Sequence, residues 1–379
     1  MPRIAEIRAI PVAVIVGSDR AFGNARGRYD RRGSIIIEVT ADDGTKGWGE
    51  AWGAAPAATL GYFEGIKPLY IGRDVFDRNG AWHAFLKAAC SVRIQNQLSA
   101  VASGINIALY DLAGKLLGIP VSKLLGGGEC DAVPCYASGG YFCNDPKNQL
   151  EHQLARVADK GFGAHKIKIG EGFADDVARV KLAREAIGPD ALLMVDVNGA
   201  YNAETAYACM RHIEPYGIHW IEEPVTPEDF TGLELLGRRR LMPIATGESH
   251  MTVYEAKRLL DTGAVDVLMP DLTLCGGLDE GQGIATLTRL YGTRLSPHVW
   301  GTAIGLAAAI HYVAALPDDP HGFQSPFPSL VEYDYSENPM RDNLLADPIM
   351  PVNGMLPVPT GPGLGIEVDE ALIARYAAA

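Results

Sequence analysis

The stretch His165-Lys166-Ile167-Lys168-Ile169 belongs to a series of short apolar runs that alternate with helical segments from about residue 132 onward. Eight such runs follow one another at steps of roughly 25 residues: Ala132–Ala137, His165–Ile169, Leu192–Val195, Ile218–Ile221, Pro243–Ala245, Val265–Met269, Arg294–Ser296 and Gly322–Gln324. Regular alternation of strands and helices predicts right-handed βαβ units and a parallel sheet. Eight units predict an α/β fold with a closed (β/α)₈ barrel of the TIM type. A doubly wound sheet is the alternative, but no Gly-x-Gly-x-x-Gly opens a helix in this sequence.

Ionisable residues recur where these runs end. One such residue falls at the end of six consecutive runs, or just after it: Lys168, Asp196, Glu222, Glu248, Asp271 and His298. The spacings between them are 28, 26, 26, 23 and 27 residues. The carboxyl ends of the strands form the catalytic face of a (β/α)₈ barrel. We therefore expect these side chains to meet in one active site.

The three carboxylates on adjacent runs, Asp196, Glu222 and Glu248, are candidate metal ligands. If they converge without compensation, they repel one another and are partly protonated. An all-oxygen set suits a hard divalent cation, above all Mg²⁺, whereas structural zinc sites use cysteine and histidine. The alternative is three solvated carboxylates at strand ends.

Two basic groups flank the predicted metal site. Side chains alternate along a strand, so Lys166 and Lys168 share one face and Ile167 lies on the other. We expect the metal and Lys166 to lower the pKa of the Lys168 ammonium, as a general base requires. Asp271, one unit before His298, is expected to orient the imidazole and raise its basicity. The alternatives are an ordinary strand lysine and a histidine of the core.

The first part of the chain follows a different pattern. Ile4–Val16 and Ser34–Thr40 have the composition of strands, and a helical period appears near residues 101–112. Between the two strands, Gly17–Gly33 shows no period, which predicts a long exposed loop of the lid or binding type. We predict an α+β capping domain with substrate-specificity loops at residues 1–128, the catalytic barrel at 129–345, and a C-terminal segment, 346–379, that returns to complete the capping domain.

Composition excludes several classes of protein. The 379 residues carry a net charge of −13, which disfavours binding to nucleic acid or to an anionic membrane. The apolar run Ile10–Val16 lacks the cleavage pattern of a signal peptide, and Gly305–Leu316 is too short to span a bilayer. Six scattered cysteines without a Cys-x-x-Cys pair are typical of a reducing compartment. We expect a cytoplasmic protein.

The motifs, taken in order, resemble the enolase superfamily in its mandelate racemase group. The matching pieces are Lys166-Ile167-Lys168, Asp196-Val197-Asn198, Trp220-Ile221-Glu222-Glu223-Pro224, Gly247-Glu248, Asp271 and Pro297-His298. The resemblance implies one Mg²⁺ bound by Asp196, Glu222 and Glu248. It also implies that Lys166 and the metal hold a substrate carboxylate. Lys168 and the His298–Asp271 pair would then be acid/base catalysts on opposite faces of the substrate.

The resemblance assigns two further polar residues. Glu332 is similar to the carboxyl on the eighth strand that hydrogen-bonds a developing enolate, and the alternative is a surface glutamate in a charged tail. Asn198 would support the metal site and the substrate. A metal, a lysine and a protonated carboxyl around one pair of oxygens stabilise an enediolate dianion where its charge develops.

The closing stretches, which include His298–Thr302, Glu332–Asp334 and Gly361–Glu367, resemble the acid-sugar members of that group, especially those that open a sugar-acid lactone. Trp300, together with Arg26 and Tyr29 of the long loop, would contact the substrate; solvated loop charge is the alternative for the arginine. The implied reaction removes the proton α to a carboxylate of an acid sugar or its lactone. Elimination of the β oxygen follows, either as lactone cycloisomerisation or as dehydration.

Other functions stay open at this level. A racemase or epimerase of a 2-hydroxy acid would use the same first step. A non-catalytic sugar-acid binding protein would have lost a ligand or a base, and no such loss is visible. A metal-dependent aldolase or hydrolase would use a Schiff-base lysine alone or several histidine ligands. The family analogy also predicts a homo-oligomer.

Overall fold

Eight parallel strands, in the order in which they occur along the chain, form the wall of a (β/α)₈ barrel. The computed structural model describes residues 1–53, 56–90, 96–158, 160–317 and 328–377. The barrel strands are β6 (Ala132–Ser138), β8 (Ala164–Lys168), β9 (Leu192–Asp196), β10 (Ile218–Glu222), β11 (Ile244–Thr246), β12 (Val267–Leu268), β13 (Arg294–Leu295) and β14 (Val331–Asp334). The eighth strand, β14, pairs with the first, β6, and β13 and β14 are the two ends of the hydrogen-bonded strand path. Ser296 Oγ donates to Leu330 O at 2.6 Å and joins the seventh strand to the eighth.

The run Gly322–Gln324, expected as the eighth strand, lies outside the described residues. Among the described residues, Val331–Asp334 is the strand that pairs with β6 on the side opposite β8. Glu332 is therefore a residue of the eighth strand, paired in register with Tyr136.

Helices cover the outside of the barrel and alternate with its strands. They are α5 (Leu150–Ala155), α6 (Phe173–Ile187), α7 (Ala203–Ile213), α8 (Phe230–Arg238), α9 (Thr252–Asp261), α10 (Gly277–Tyr291), α11 (Ala303–Ala314) and α12 (Pro339–Asp342). Ile167, Val195 and Ile221 point outward and pack in the large core beneath these helices, whereas Met194 and Trp220 fill the barrel interior. Because side chains alternate along each strand, Lys166, Asp196 and Glu222 point inward as well.

The N-terminal residues form a separate layer above the barrel. Its antiparallel sheet has the order β1 (Ile4–Ile15), β4 (Arg31–Ala41) and β5 (Lys46–Ala51). Its helices are α1 (Pro56–Ile66), α2 (Arg78–Ala89), α3 (Asn96–Leu117) and α4 (Val121–Leu124). Within α3, Gln97–Leu117 has the length and hydropathy of a membrane span, but 83% of its apolar window is buried inside the structure. This helix packs against β5 and the barrel helix α10 and so joins the two layers.

The segment predicted as a long exposed loop is a β-hairpin, so that prediction is wrong. After a short 3₁₀ turn, β2 (Phe22–Asn24) pairs with β3 (Gly27–Tyr29), and β2 also pairs with β7 (Phe142–Cys143) of the barrel. The hairpin is ordered against the barrel because Phe22 packs its ring against two aromatic residues there, Tyr141 and Trp300. We call residues 16–30 the lid hairpin.

The C-terminal residues contact both layers. β15 (Met355–Pro357) pairs antiparallel with β6, and α13 (Glu370–Ala377) packs against β1. Leu364 N donates to the buried Asp111 carboxylate of α3 at 2.8 Å. None of the six cysteines is in a disulfide.

A buried histidine links a barrel helix to the N-terminal layer and to the C-terminal segment. Because it is buried in neutral form, we expect the fold to lose stability in acid. His311 of α11 accepts a hydrogen bond from Ser122 N at 3.2 Å and donates to Leu364 O at 3.0 Å. Burial lowers the pKa of His311 to about 4, below its unfolded value of about 6.5. The contribution of neutral His311 to the free energy of unfolding is thus fully present above about pH 6.5. As the pH falls toward 4 this contribution is lost, which lowers the free energy of unfolding by about 3 kcal/mol.

We therefore expect His311→Asn to lower the free energy of unfolding at pH 7 and to weaken its dependence on pH between 6.5 and 4.5. Urea unfolding at several pH values measures both effects. The matched control is His152→Asn, since His152 is exposed. Parallel pH profiles for wild type and His311→Asn would contradict the prediction.

Candidate active site

Lysines and carboxylates of three neighbouring strands lie side by side at the rim of the barrel. The register pairs Lys168 of β8 with Asp196 of β9, and Asp196 with Glu222 of β10. Lys168 Nζ forms an ion pair with Asp196 Oδ2. Lys166 Nζ lies 2.9 Å from both oxygens of Glu222 and 2.8 Å from Glu332 Oε1, so it links β8, β10 and β14.

A histidine and an aspartate on neighbouring strands form the second half of the site. His298 and Asp271 make a parallel bridge, and His298 Nδ1 lies 2.7 Å from Asp271 Oδ2. The backbone N and hydroxyl of Thr273 donate to Asp271 Oδ1 at 2.7 and 2.6 Å, which fixes the carboxylate. With Nδ1 engaged, Nε2 faces the site, 3.3 Å from Glu248 Oε2 and 3.9 Å from Glu332 Oε2.

Charge around the imidazole favours its protonated form. Burial alone would lower the pKa of His298, but Glu248 and Glu332, and then Asp271, raise it to about 10. The sequence pointed to Asp271 as the partner, and the structure places it there. The two glutamates raise the pKa as well, and the sequence did not indicate their contribution.

The predicted metal ligands occupy adjacent strand ends, but the carboxylate of each forms an ion pair with a basic side chain of the protein. Asp196 pairs with Lys168, Glu222 with Lys166, and Glu248 with His298. As a result, no three His, Cys, Asp or Glu side chains of the described residues are gathered around one point as a metal would require. The ligand set stays a prediction.

The donor chemistry nevertheless fits a hard divalent cation. Burial, together with the charges of Asp196, Glu332 and Glu248, raises the pKa of Glu222 to about 8 despite the opposing effect of Lys166. Crowded carboxylates of this kind either keep a proton or bind a cation. Beside them, the buried Oδ1 of Asn198 has no hydrogen-bond partner among the described residues, while Asn198 N donates to Asp196 Oδ1 at 2.8 Å.

Two electrostatic expectations concern the site with its metal and substrate bound, and they stay predictions. In the structure, burial opposes the charge on Lys168, yet Asp196 in direct contact raises the pKa of this lysine above its usual value. Burial favours the neutral form of Glu332, but Lys166 and His298 hold its pKa well below the usual range. Both pKa directions arise because these groups neutralise one another directly.

Glu332 is held by contacts that aim it at the centre of the site. Ser138 Oγ donates to Glu332 Oε1 at 2.5 Å, and Val299 N donates to Oε2 at 3.1 Å. Together with Lys166 and His298, these contacts make Glu332 a buried bridge between the two halves of the site.

Two residues of the lid hairpin and one of the barrel were predicted to contact substrate, and the three lie in different surroundings. Arg26 Nε donates to Asn198 O at 2.5 Å, and the guanidinium lies 3.2 Å from Glu223 Oε2, so this arginine supports the backbone behind the metal-site strands. Tyr29 lies on β3 with its side chain 43% exposed. Trp300 packs against aromatic residues at the mouth of the barrel.

Sequence reasoning missed two buried glutamates. Glu223 has φ 39° and lies behind the site; Ser249 Oγ donates to its Oε1 at 3.3 Å. Burial, reinforced by Glu248, raises its pKa well above the usual range. The doubled Glu222-Glu223 was visible in the sequence, but nothing there indicated that the second carboxylate is enclosed.

The other missed residue, Glu50, joins the two layers. Its carboxylate is fully buried at the N-terminus of α11, where it accepts from Thr302 N at 2.8 Å and from Gly305 N at 2.9 Å. Ser34 Oγ of the neighbouring strand donates to it at 2.6 Å. A carboxylate at a helix N-terminus is favourable to the helix, and this one fixes the chain just after His298. A lone acidic residue in a Gly-rich strand was the only signal in the sequence.

Family models match both layers of the structure. The model described as mandelate racemase / muconate lactonizing enzyme, N-terminal domain, matches residues 10–126, and the one described as enolase C-terminal domain-like matches residues 149–372. The chain belongs to the enolase superfamily. Its assignment to the mandelate racemase group, made from the motifs, is confirmed.

Similar proteins of this superfamily align over nearly the whole chain. D-galactarolactone cycloisomerase of Agrobacterium fabrum is 40% identical over 364 residues, which cover 94% of this chain and 95% of the relative. The crystal structure of 3,6-anhydro-D-galactonate cycloisomerase from Zobellia galactanivorans is 36% identical, with a TM-score of 0.88 and 99% of each chain covered.

A third superfamily neighbour is known with a metal. This L-talarate/galactarate dehydratase variant, liganded with Mg and L-glucarate, is 26% identical, with a TM-score of 0.86 and coverage of 99% of this chain and 92% of its own. The enzyme it derives from is that of Salmonella typhimurium.

Proposed function

We propose that this protein is a Mg²⁺-dependent enzyme that removes the proton α to the carboxylate of an acid sugar or its lactone and then eliminates the β oxygen. The observation that carries the proposal is the pair of buried basic groups, Lys168 and the Asp271-held His298, at one buried carboxylate cluster. The similar cycloisomerases and dehydratase support the choice of acid sugars.

A proton α to a carboxylate is very weakly acidic, and its removal creates an enediolate dianion. Mg²⁺ held by Asp196, Glu222 and Glu248 would supply Lewis-acid stabilisation of that charge. Lys166 adds a fixed positive charge beside the same carboxylates. We propose that Glu332, fixed by Ser138, takes up a proton once the substrate carboxylate engages Lys166, and that it then hydrogen-bonds an enediolate oxygen.

Lys168 and His298 divide the acid/base work. Mg²⁺ bound to Asp196 and Glu248 would take these carboxylates away from Lys168 and His298 and so lower the pKa of both bases. One of them, then in its neutral form, removes the α proton, and the other, in its protonated form, serves the departing oxygen on another face of the substrate. Asp271 fixes the tautomer and direction of His298, so that Nε2 is the atom that exchanges protons. If the departing oxygen is a ring oxygen the product is an isomer, and if it is a hydroxyl the reaction is a dehydration.

The remaining expectations are part of the same proposal. We propose Asn198, Trp300, Arg26 and Tyr29 as residues that support substrate binding, Arg26 through its contact with Asn198. A cytoplasmic homo-oligomer that binds neither nucleic acid nor membranes, and the division at residues 128 and 345, also stay predictions. Racemisation or epimerisation remains the second candidate, because it would use the same two bases. A purely binding protein is disfavoured, since every predicted ligand and base is present.

A screen by NMR in D₂O tests the proposal. Diacid sugars, monoacid sugars and their lactones are incubated with the protein and Mg²⁺, and the loss of the α-proton signal is followed together with the product. We expect at least one of them to exchange this proton and form a 2-keto product. Exchange with inversion but without elimination would establish the racemase, and binding without exchange would overturn the enzyme proposal.

A further inference from the structure

A continuous aromatic wall connects the two basic groups of the site. The ring of Tyr141 lies 5.6 Å from Lys168 Nζ, and its hydroxyl accepts a 2.7 Å hydrogen bond from Trp300 Nε1. Trp300 in turn meets the ring of Trp52 at 5.6 Å between centroids, and Trp52 lies 5.8 Å from the imidazole of His298. We call Trp52, Tyr141 and Trp300 the aromatic wall.

The wall is assembled from separate parts of the chain. Trp52 follows β5 of the N-terminal layer, Tyr141 precedes β7, and Trp300 follows β13. Tyr141 is buried, with Phe22 of the lid hairpin against its ring at 5.4 Å. Trp52 packs against the core of the N-terminal layer and Trp300 against the small cluster of Phe22 and Tyr141. Both indoles are only partly buried, so part of each stays open to contact.

Charged groups near the wall are already paired. Arg32 is buried behind it, with its guanidinium 4.3 Å from the Phe22 ring and 4.8 Å from the Trp300 ring, and it forms an ion pair with Asp334 at 3.0 Å. In the lid hairpin, Arg28 forms an ion pair with Glu171, and Arg26 is held by Glu223 as described above. These three arginines are thus engaged by carboxylates of the protein.

The position of the wall decides which part of a substrate meets it. In the proposed function the substrate carboxylate lies at Lys166 and the metal ligands, with the α carbon between Lys168 and His298. Because the wall contacts both of these basic groups, we infer that the β carbon and the atoms beyond it face the wall. Against its aromatic faces, the hydroxyls of an open-chain polyol would lose water with little hydrogen bonding in return. A five-membered ring instead offers a C–H face, which packs well on an aromatic surface.

We propose, on the basis of the proposed function, that the aromatic wall selects sugar acids whose β oxygen belongs to a ring, with Trp52 as the specificity-determining residue. In the resulting step the α C–H bond breaks and its proton passes to the neutral basic group, while its electron pair forms the C=C bond and the β C–O bond of the ring breaks. In a lactone the ring oxygen leaves as a carboxylate; in a cyclic ether it takes a proton from the acid group. The resulting enol takes a proton on its β carbon and becomes the 2-keto acid. Nothing is oxidised and no water is released, so the product is an open-chain isomer.

The test compares the ring-closed and open-chain forms of the same acid, beginning with galactarolactone and galactarate, and using whichever acid reacts best in the D₂O screen. We expect kcat/KM of the wild-type protein to favour the ring-closed form by about 100-fold. Trp52→Leu is expected to reduce this preference about 10-fold, mainly through KM for the ring-closed form, and Trp52→Phe to retain most of it. Trp82→Leu is the matched control, since Trp82 stacks on Phe85 in the N-terminal layer.

Each outcome decides between the proposals. If the open-chain form reacts as well as the ring-closed form or better, or if Trp52→Leu slows both equally, the role of the aromatic wall is refuted while the enolising function stands. If no sugar acid in either form exchanges its α proton with Mg²⁺ present, the proposed function and this inference are both wrong. A selective loss of the ring-closed preference in Trp52→Leu alone supports the inference.

Discussion

Lys168→Ala and His298→Asn are each expected to lower turnover by at least about 10³-fold, with Mg²⁺ binding retained. General acid–base catalysis contributes factors of about 10²–10⁴, and neither group has a substitute at the same face. Lys168 and His298 are buried on different strands, so one cannot move into the place of the other. The measurement is kcat on the reacting sugar acid, with Mg²⁺ binding followed by calorimetry.

The two variants should differ in one respect that assigns their roles. The variant of the group that removes the α proton loses exchange with D₂O as well as turnover. The variant of the group that serves the departing oxygen still exchanges the α proton but forms no product. Matched controls are Lys181→Ala and His152→Asn, both at exposed positions. Full activity in both active-site variants would refute the acid/base assignment.

Removal of Mg²⁺ should have an effect of similar size. Dialysis against EDTA is expected to lower turnover by at least about 10³-fold, because the cation contributes several kcal/mol of charge stabilisation, and added Mg²⁺ should restore it. Glu222→Gln should weaken Mg²⁺ binding and activity together, since this carboxylate lies between Asp196 and Glu248 in the predicted ligand set. Glu204→Gln, at an exposed position of α7, is the control. An enzyme that stays active after thorough chelation would remove the metal from the proposal.

The rim of the barrel was the most predictable part of the protein. Strand alternation is a local property, so Lys166 and Lys168 could be placed on one face and Ile167 on the other from five residues of sequence. The repeat of about 25 residues then placed Asp196 and Glu222 at neighbouring strand ends, and the register of β9 and β10 puts them side by side. The Asp271–His298 contact followed from the same repeat.

Charge states were not predictable in the same way. The pKa of Lys168 depends on its contact with Asp196, and that of Glu332 on Lys166 and His298. The sequence shows which residues lie on neighbouring strands. It does not show which carboxylate oxygen a lysine contacts when several carboxylates are within reach. The lid hairpin was missed for a related reason, since Phe22 becomes buried only against Tyr141 and Trp300.

The sequence by itself determined the barrel, its superfamily and the ionisable residues at the rim of the barrel, because these depend on short-range periodicity repeated along the chain. Only the tertiary structure showed the register in which β14 pairs with β6, the hold of Glu50 on the N-terminus of α11, and the position of Trp52 beside His298. These contacts join residues that are about 200 or more positions apart in the sequence. The two partners in each contact are apolar or buried. No local pattern marks such partners, because packing between the two layers selects them.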